Sequence, residues 1–195
     1  KTERDIDNIF SKYMPLKFTE KEEKLGRENL KQFGLKDNDK FICLAVRDNA
    51  YNLIKQNEKE EKDFEYHSYR NANIDDFRLC AEQLANRGYF VFRMGVKVNK
   101  SFKTHNPKII DYANSDLRSD FMDVYLGAKC FFCISTGYGF QDIPYIFGVP
   151  IVHLTSTLGE LFTFNEKNIL LSKHHYSLKK KRNLNISEIF SNRLA

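Results

Sequence analysis

The residues best placed to do chemistry in this chain stand where apolar runs stop. The six residues from Phe41 to Val46 ("FICLAV") are apolar apart from one thiol, and Arg47 and Asp48 follow with no turn between. A second run, Tyr89 to Phe92, stops at Arg93, Met94 and Gly95. A third, short run leads to Ser115 and Asp116, and a fourth ends in "STGYG", Ser135 to Gly139. Thr155 and Ser156 follow a fifth. Cations, hydroxyls and glycines in this pattern suit anion recognition. Guanidinium forms a two-pronged fork that matches phosphate oxygens. A glycine turn between a strand and a helix lets backbone N–H groups approach an anion. Each residue also has an ordinary structural role open to it. Arg47 and Arg93 could pair with a neighbouring carboxylate, the glycines could serve a plain turn, and Asp116 could cap a helix. The turn is neither a Walker A loop, for no G-K-[ST] follows, nor a G-x-G-x-x-G fingerprint, for the third glycine is missing.

Other candidates carry less. Cys130 and Cys133 form a C-x-x-C, but Phe131 and Phe132 lie between them and Ile134 follows. That reads as a buried strand from Cys130 to Ile134, in which positions three apart face opposite ways and cannot share a metal. No D-x-D motif stands near a strand end, so no divalent metal is expected. His153 lies inside an apolar run and reads as a hydrogen-bonded core residue, and His174-His175 reads as surface loop. The run Lys179, Lys180, Lys181, Arg182 supplies most of the charge asymmetry. It is a solvated surface or a patch for an anionic partner such as a membrane face. No nucleic-acid motif accompanies it.

The elements that must position these groups alternate. Thr19 to Glu22 reads T-x-x-E, a capping box opening a helix that runs to about Phe33 and closes at Gly34. Strands are predicted over Phe41 to Val46, Tyr89 to Arg93, Ile109 to Tyr112, Cys130 to Ile134 and Val149 to Leu154, with a sixth over Asn168 to Leu171. Helices are predicted after Asn73, where Phe77, Cys80, Ala81, Leu84 and Ala85 recur at helical spacing. Others are expected from Ser119 to Ala128, after the glycine turn up to Phe147, and from Asn185 to Arg193. The charged stretch Asn49 to Arg70 reads as a loop or lid. Alternation at this spacing predicts a Rossmann-like, doubly wound α/β domain, a parallel sheet of five to six strands covered on both faces. Ligands of such sheets bind beyond the carboxyl ends of the strands, where the polar residues gather.

Composition bounds the rest. The 195 residues suit one domain, 42% are hydrophobic and 14% aromatic, and the net charge is a mild +5. No window is apolar enough to span a membrane, and no signal peptide opens the chain. Four cysteines without a scaffold pattern fit a reducing cytoplasm. The chain opens on Lys1 rather than Met, which suggests a fragment.

Three stretches carry a resemblance: "YRNANIDDFRLCAEQLANRGYFVFRMG", "KIIDYANSDLRSDFMDVYLGAKCFFCISTGYGF" and "PYIFGVPIV". Together they resemble a family of bacterial glycosyltransferases associated with surface-carbohydrate biosynthesis, over roughly Phe41 to Leu154. The layout is similar to the donor-binding C-terminal half of GT-B enzymes, including a fucosyltransferase-like branch. The resemblance implies a domain at 39–195 that binds a nucleotide-sugar, preceded by a helical or linker segment at 1–38. It implies that Arg47, Ser135, Thr136, Gly137 and Gly139 meet the donor diphosphate. Asp48, Arg93, Gly95, Ser115 and Asp116 are secondary. It implies metal-independent sugar transfer to a glycan or lipid-linked acceptor, with the nucleotide-sugar as substrate and no cofactor. The expected location is the cytoplasm or the inner face of the membrane, touched through 179–182. Related sequences carry H-x-R where this chain has Ala45 before Arg47. A GT-B enzyme also has a second Rossmann-like domain, which holds the acceptor. A non-catalytic nucleotide- or phosphate-binding module and an interaction domain docked through its basic tail are the alternatives.

Overall fold

Runs of apolar, partly β-branched residues with no polar alternation must be covered on both faces, and the structure covers them. The computed structural model describes residues 16–50, 65–156 and 167–192. Six strands form one parallel sheet: β1 (Phe41–Ala45), β2 (Phe90–Arg93), β3 (Ile109–Ile110), β4 (Cys133–Ser135), β5 (Ile151–Ser156) and β6 (Ile169–Ser172). Their order is β3-β2-β1-β4-β5-β6, so the chain winds outward from β1 in one direction and then from β4 in the other. The doubly wound Rossmann-like fold expected from the residues is the one found. The reversal between β1 and β4 leaves a crevice at the carboxyl ends of those two strands.

Helices cover both faces. On one, the turn Ile74–Phe77 and helix α2 (Arg78–Asn86) bury Ile42, Leu44, Val91 and Ile134. On the other, α1 (Glu20–Gln32), α3 (Asp120–Lys129) and α4 (Asp142–Ile146) lie over the strand residues of opposite parity, Phe41, Cys43, Ala45, Phe92 and Cys133. The capping box opening α1 is present, with the Thr19 hydroxyl accepting from the Glu22 N–H at 3.3 Å and Glu22 reaching back to the Thr19 N–H at 2.7 Å. Helix α1 shares the core. The Gly26 backbone lies against the Tyr125 ring, Tyr125 donates to Glu23 at 3.2 Å, and Phe18 stacks on Phe147.

Several boundaries differ from expectation. Cys130 is the C-cap of α3, held by its N–H on the Leu126 carbonyl, and β4 begins only at Cys133. The two thiols therefore do not alternate across a strand; with Cys43 they belong to one buried cluster, and all are free. Burial pushes the Cys43 and Cys133 thiols upward. Strand β3 stops two residues early because Tyr112 opens a 3-10 turn, and β5 starts two residues late, after Pro150. Residues 51–64 of the expected lid lie outside the described residues; Glu65–Arg70 is a 3-10 turn. A small antiparallel hairpin, β7 (Tyr176–Ser177) with β8 (Arg182–Asn183), precedes helix α5 (Ile186–Ser191). Among the described residues no helix is long and apolar enough to cross a membrane.

Candidate functional site

A cavity of about 550 Å³ opens at the switch point, beyond the carboxyl ends of β1, β2 and β4. Val46, Arg47 and Asp48 line it from β1, Gly95 to Val98 from the loop after β2, and Gly137 to Phe140 from the turn after β4. Arg70, Asp123 and Ile143 complete it. The structure thus brings together Arg47, Asp48, Gly95, Gly137 and Gly139 of the expected set. It adds Arg70, Lys97 and Asp123. Three cations, Arg47, Arg70 and Lys97, line the cavity with two carboxylates, Asp48 and Asp123, a positive balance suited to an anion.

Arg47 is set in place by its own backbone. Its N–H donates to the Thr136 hydroxyl at 2.8 Å, and its carbonyl accepts from the Ala72 N–H at 2.9 Å. Those bonds fasten the end of β1 to the end of β4 and to the start of the α2 connection. Asp48 lines the cavity and has a structural task as well. One of its oxygens accepts from the Ala50 N–H at 3.0 Å and the other from the Asn99 N–H at 2.8 Å. The loop that carries Lys97 is pinned against β1 in this way.

Arg93 stands apart from the cavity wall. It is the last residue of β2 and only 1% exposed. It donates to Asp111 at 3.0 Å and lies 3.9 Å from Asp48. Asp111 in turn accepts from the Phe102 N–H at 2.8 Å and from Asn114 at 2.7 Å. A buried guanidinium between two carboxylates ties the ends of β1, β2 and β3 together. Ser115 and Asp116 lie on the loop before α3, outside the cavity lining, where the Ser115 hydroxyl accepts from the Leu117 N–H at 3.2 Å.

The turn after β4 is built from within. The Ser135 hydroxyl accepts from the Gly137 N–H at 3.2 Å and donates to Gln141 at 3.1 Å, and both Ser135 and Thr136 are buried. The Ser135 hydroxyl shapes the turn, and the Thr136 hydroxyl ties it to the end of β1. Gly137 sits at φ 87°, in the left-handed region that a side chain disfavours. Gly139 has open space where a Cβ would stand. Positive charge at the cavity therefore comes from the three side chains, and the glycines give the backbone room.

The far wall holds a carboxyl. Asp123, on the first turn of α3, accepts from Arg118 at 2.5 Å through one oxygen, and its other oxygen is buried without a hydrogen-bond partner. Burial pushes its pKa up, and the neighbouring Arg118 opposes the shift. The Tyr138 hydroxyl is likewise buried and unpartnered, and burial raises its pKa. Spacing gave no signal for Arg70 or Lys97, and Asp123, like Asp116, reads from the sequence as a cap or helix-face residue. Arg70 ends a charged stretch, Lys97 follows a glycine loop, and Asp123 sits at a helical position that faces the sheet edge only once the helix is docked. Among the described residues no group of three or more His, Cys, Asp or Glu side chains is placed to hold a metal ion.

Fold and cavity together define a Rossmann-like α/β unit with an anion-suited crevice at its switch point. The chain is similar to a glycosyl transferase family 9 structure from Veillonella parvula, with a TM-score of 0.57 and 16% identity, over 81% of this chain and 42% of that one. It is also similar to the ADP-heptose LPS heptosyltransferase II of E. coli, at a TM-score of 0.49 and 17% identity, over 80% of this chain and 44% of that one. The chain thus spans less than half the length of the structures it matches. By sequence it matches no family and no curated protein.

Proposed function

We propose that this chain is the donor-binding half of a glycosyltransferase of GT-B type, which moves a sugar from a nucleotide-sugar to an acceptor in surface-glycan synthesis. The observation that carries this reading is the cationic wall of Arg47, Arg70 and Lys97 around the switch-point cavity. The shared fold with a family 9 glycosyl transferase supports it. In the transfer an acceptor hydroxyl attacks the anomeric carbon, giving its proton to a base on the acceptor side of the cleft, and the sugar–phosphate bond breaks. The electron pair leaves on the nucleoside diphosphate. Charge grows on the diphosphate oxygens as the bond stretches, and preorganised cations stabilise that charge more than they stabilise the intact donor. Arg47 is the principal contact and Gly137 and Gly139 give the phosphates room. Ser135 and Thr136 hold the turn, and Arg93, Asp48 and Asp111 hold the strand ends. The three cations do the charge stabilisation that a divalent metal would otherwise supply.

The test is calorimetry against UDP, GDP, ADP and their sugar conjugates. One nucleoside diphosphate should bind, and chelator should leave its affinity unchanged. Affinity abolished by chelator and restored by Mg²⁺ or Mn²⁺ would remove the metal-free part of the reading. Binding without transfer, even when a second domain is supplied, would make the chain a non-catalytic nucleotide-binding module.

A further inference from the structure

The hairpin after β6 presents an exposed leucine beside three exposed lysines. Its two short strands, Tyr176–Ser177 and Arg182–Asn183, carry a four-residue turn, Leu178 to Lys181. A solvated turn ordinarily uses Gly, Asn or Asp at its tip. Here the tip is Leu178, 85% exposed, followed by Lys179, Lys180 and Lys181, all exposed. Lys181 holds a left-handed φ of 50°, the only such non-glycine among the described residues. The turn accepts that cost with a lysine where glycine would relieve it.

The finger is braced. Glu188 of α5 takes Arg182 through both guanidinium nitrogens, at 2.7 and 2.8 Å, and Lys180 at 2.6 Å. Arg182, Lys180 and the Asn185 N–H together hold Glu188 well below the usual carboxylate range. The bracing consumes the one carboxylate in the segment 168–192, which carries five Lys and Arg residues. Lys179 and Lys181 are not part of it and extend the positive charge around the leucine. Tyr176, at the base of the hairpin, is exposed as well.

We propose that this finger docks the protein on an anionic lipid bilayer, with Leu178 entering the headgroup boundary and Lys179 and Lys181 meeting the lipid phosphates. An apolar tip ringed by cations is the chemistry that such an interface takes, and neither a purely polar patch nor a purely apolar one would serve it. The proposal rests on the hairpin alone and does not depend on the cavity or on the transferase reading.

The test uses the whole chain and vesicles of phosphatidylcholine, with and without phosphatidylglycerol. The chain contains no Trp, so Leu178→Trp places a single fluorophore at the tip. Anionic vesicles should pull the protein down at low salt and release it at high salt, and the Trp emission should shift to the blue. Lys179→Gln with Lys181→Gln should weaken partitioning about 25-fold, from the roughly fivefold worth of each lysine near an anionic surface. Leu178→Ser should weaken it about tenfold at constant charge. These residues are exposed and outside the Glu188 brace, so the variants should fold as the parent does. No partitioning into anionic vesicles overturns the proposal. So does partitioning that survives Leu178→Ser with no blue shift in the Trp variant, because the protein would then be held at the surface by charge alone, with no apolar tip entering the headgroup boundary.

Discussion

Arg47 and Arg93 occupy the same kind of position, the carboxyl end of a central strand, yet they do different work. Arg47 lines the cavity, while Arg93 is closed inside a cage of Asp111 and Asp48. On the proposed reading, Arg47→Ala should weaken nucleoside diphosphate binding by about 1.5–3 kcal/mol, the scale of a charged hydrogen bond, and leave stability nearly unchanged. Arg93→Met should do the reverse and cost about 3 kcal/mol of stability, because it removes the buried cation that Asp111 and Asp48 share. Calorimetry and urea denaturation on both variants separate the two roles, and a swap of the outcomes would reverse the assignments. His153 sets a pH dependence. It is buried in β5 with Nδ1 unpartnered, and burial pushes its pKa below the ordinary 6.5. Its neutral form is the folded form. Stability is therefore full above the unfolded value and falls as pH drops through it toward the lowered folded value. Denaturation curves of His153→Leu should lack that part of the acid loss, and an identical pH profile in parent and variant would exclude His153 as its source.

At the scale of elements, the cavity depends on how helices seat. Helix α1 reaches the sheet face because Gly26 lets its backbone lie on Tyr125. A Cβ there would stand 2.2 Å from the ring. Gly26→Ala should cost about 1–3 kcal/mol through overpacking. Denaturation should show that loss while donor affinity, set on the other side of α3, stays close to the parent's. Helix α3 is the coupling piece: its first turn presents Asp123 to the cavity and its middle meets α1 through Tyr125. An Ala variant that lost donor binding along with stability would show that α1 positions the site as well as the core.

For the molecule as a whole, the span matters. The chain covers 42% of the family 9 structure that shares its fold. On the proposed reading the cavity is one wall of a cleft, with the acceptor on the other. Holding the acceptor in line supplies about 7–11 kcal/mol of a transfer barrier, and a single wall does not supply it. The 195-residue chain should bind donor at micromolar to millimolar affinity and transfer sugar negligibly, whereas a version joined to an acceptor-binding domain should turn over. A coupled assay for nucleoside diphosphate release compares the two, and robust transfer by the 195 residues alone would show that the cleft is complete without a second domain.

The sequence by itself determined the class of fold. Apolar runs such as Phe41 to Val46 have no polar face to give to solvent, so they must be central strands, and helical spacing between them requires a parallel sheet. It also put Arg47, Arg93 and the glycine turn at the carboxyl edge of the sheet, because a cation or a glycine pair directly after such a run lands there whatever the details. The capping box at Thr19 was equally local and equally legible. Tertiary structure alone decided which of two similar arginines faces the cavity, for that turns on Asp111, eighteen residues after Arg93, folding back beside it. It decided the fate of Cys130, which helix α3 captured as its last hydrogen-bonded residue before the strand could begin. It decided, too, that Arg70, Lys97 and Asp123 share one cavity, since three residues from three separate loops and helices meet only when the sheet's switch point draws their elements to one edge.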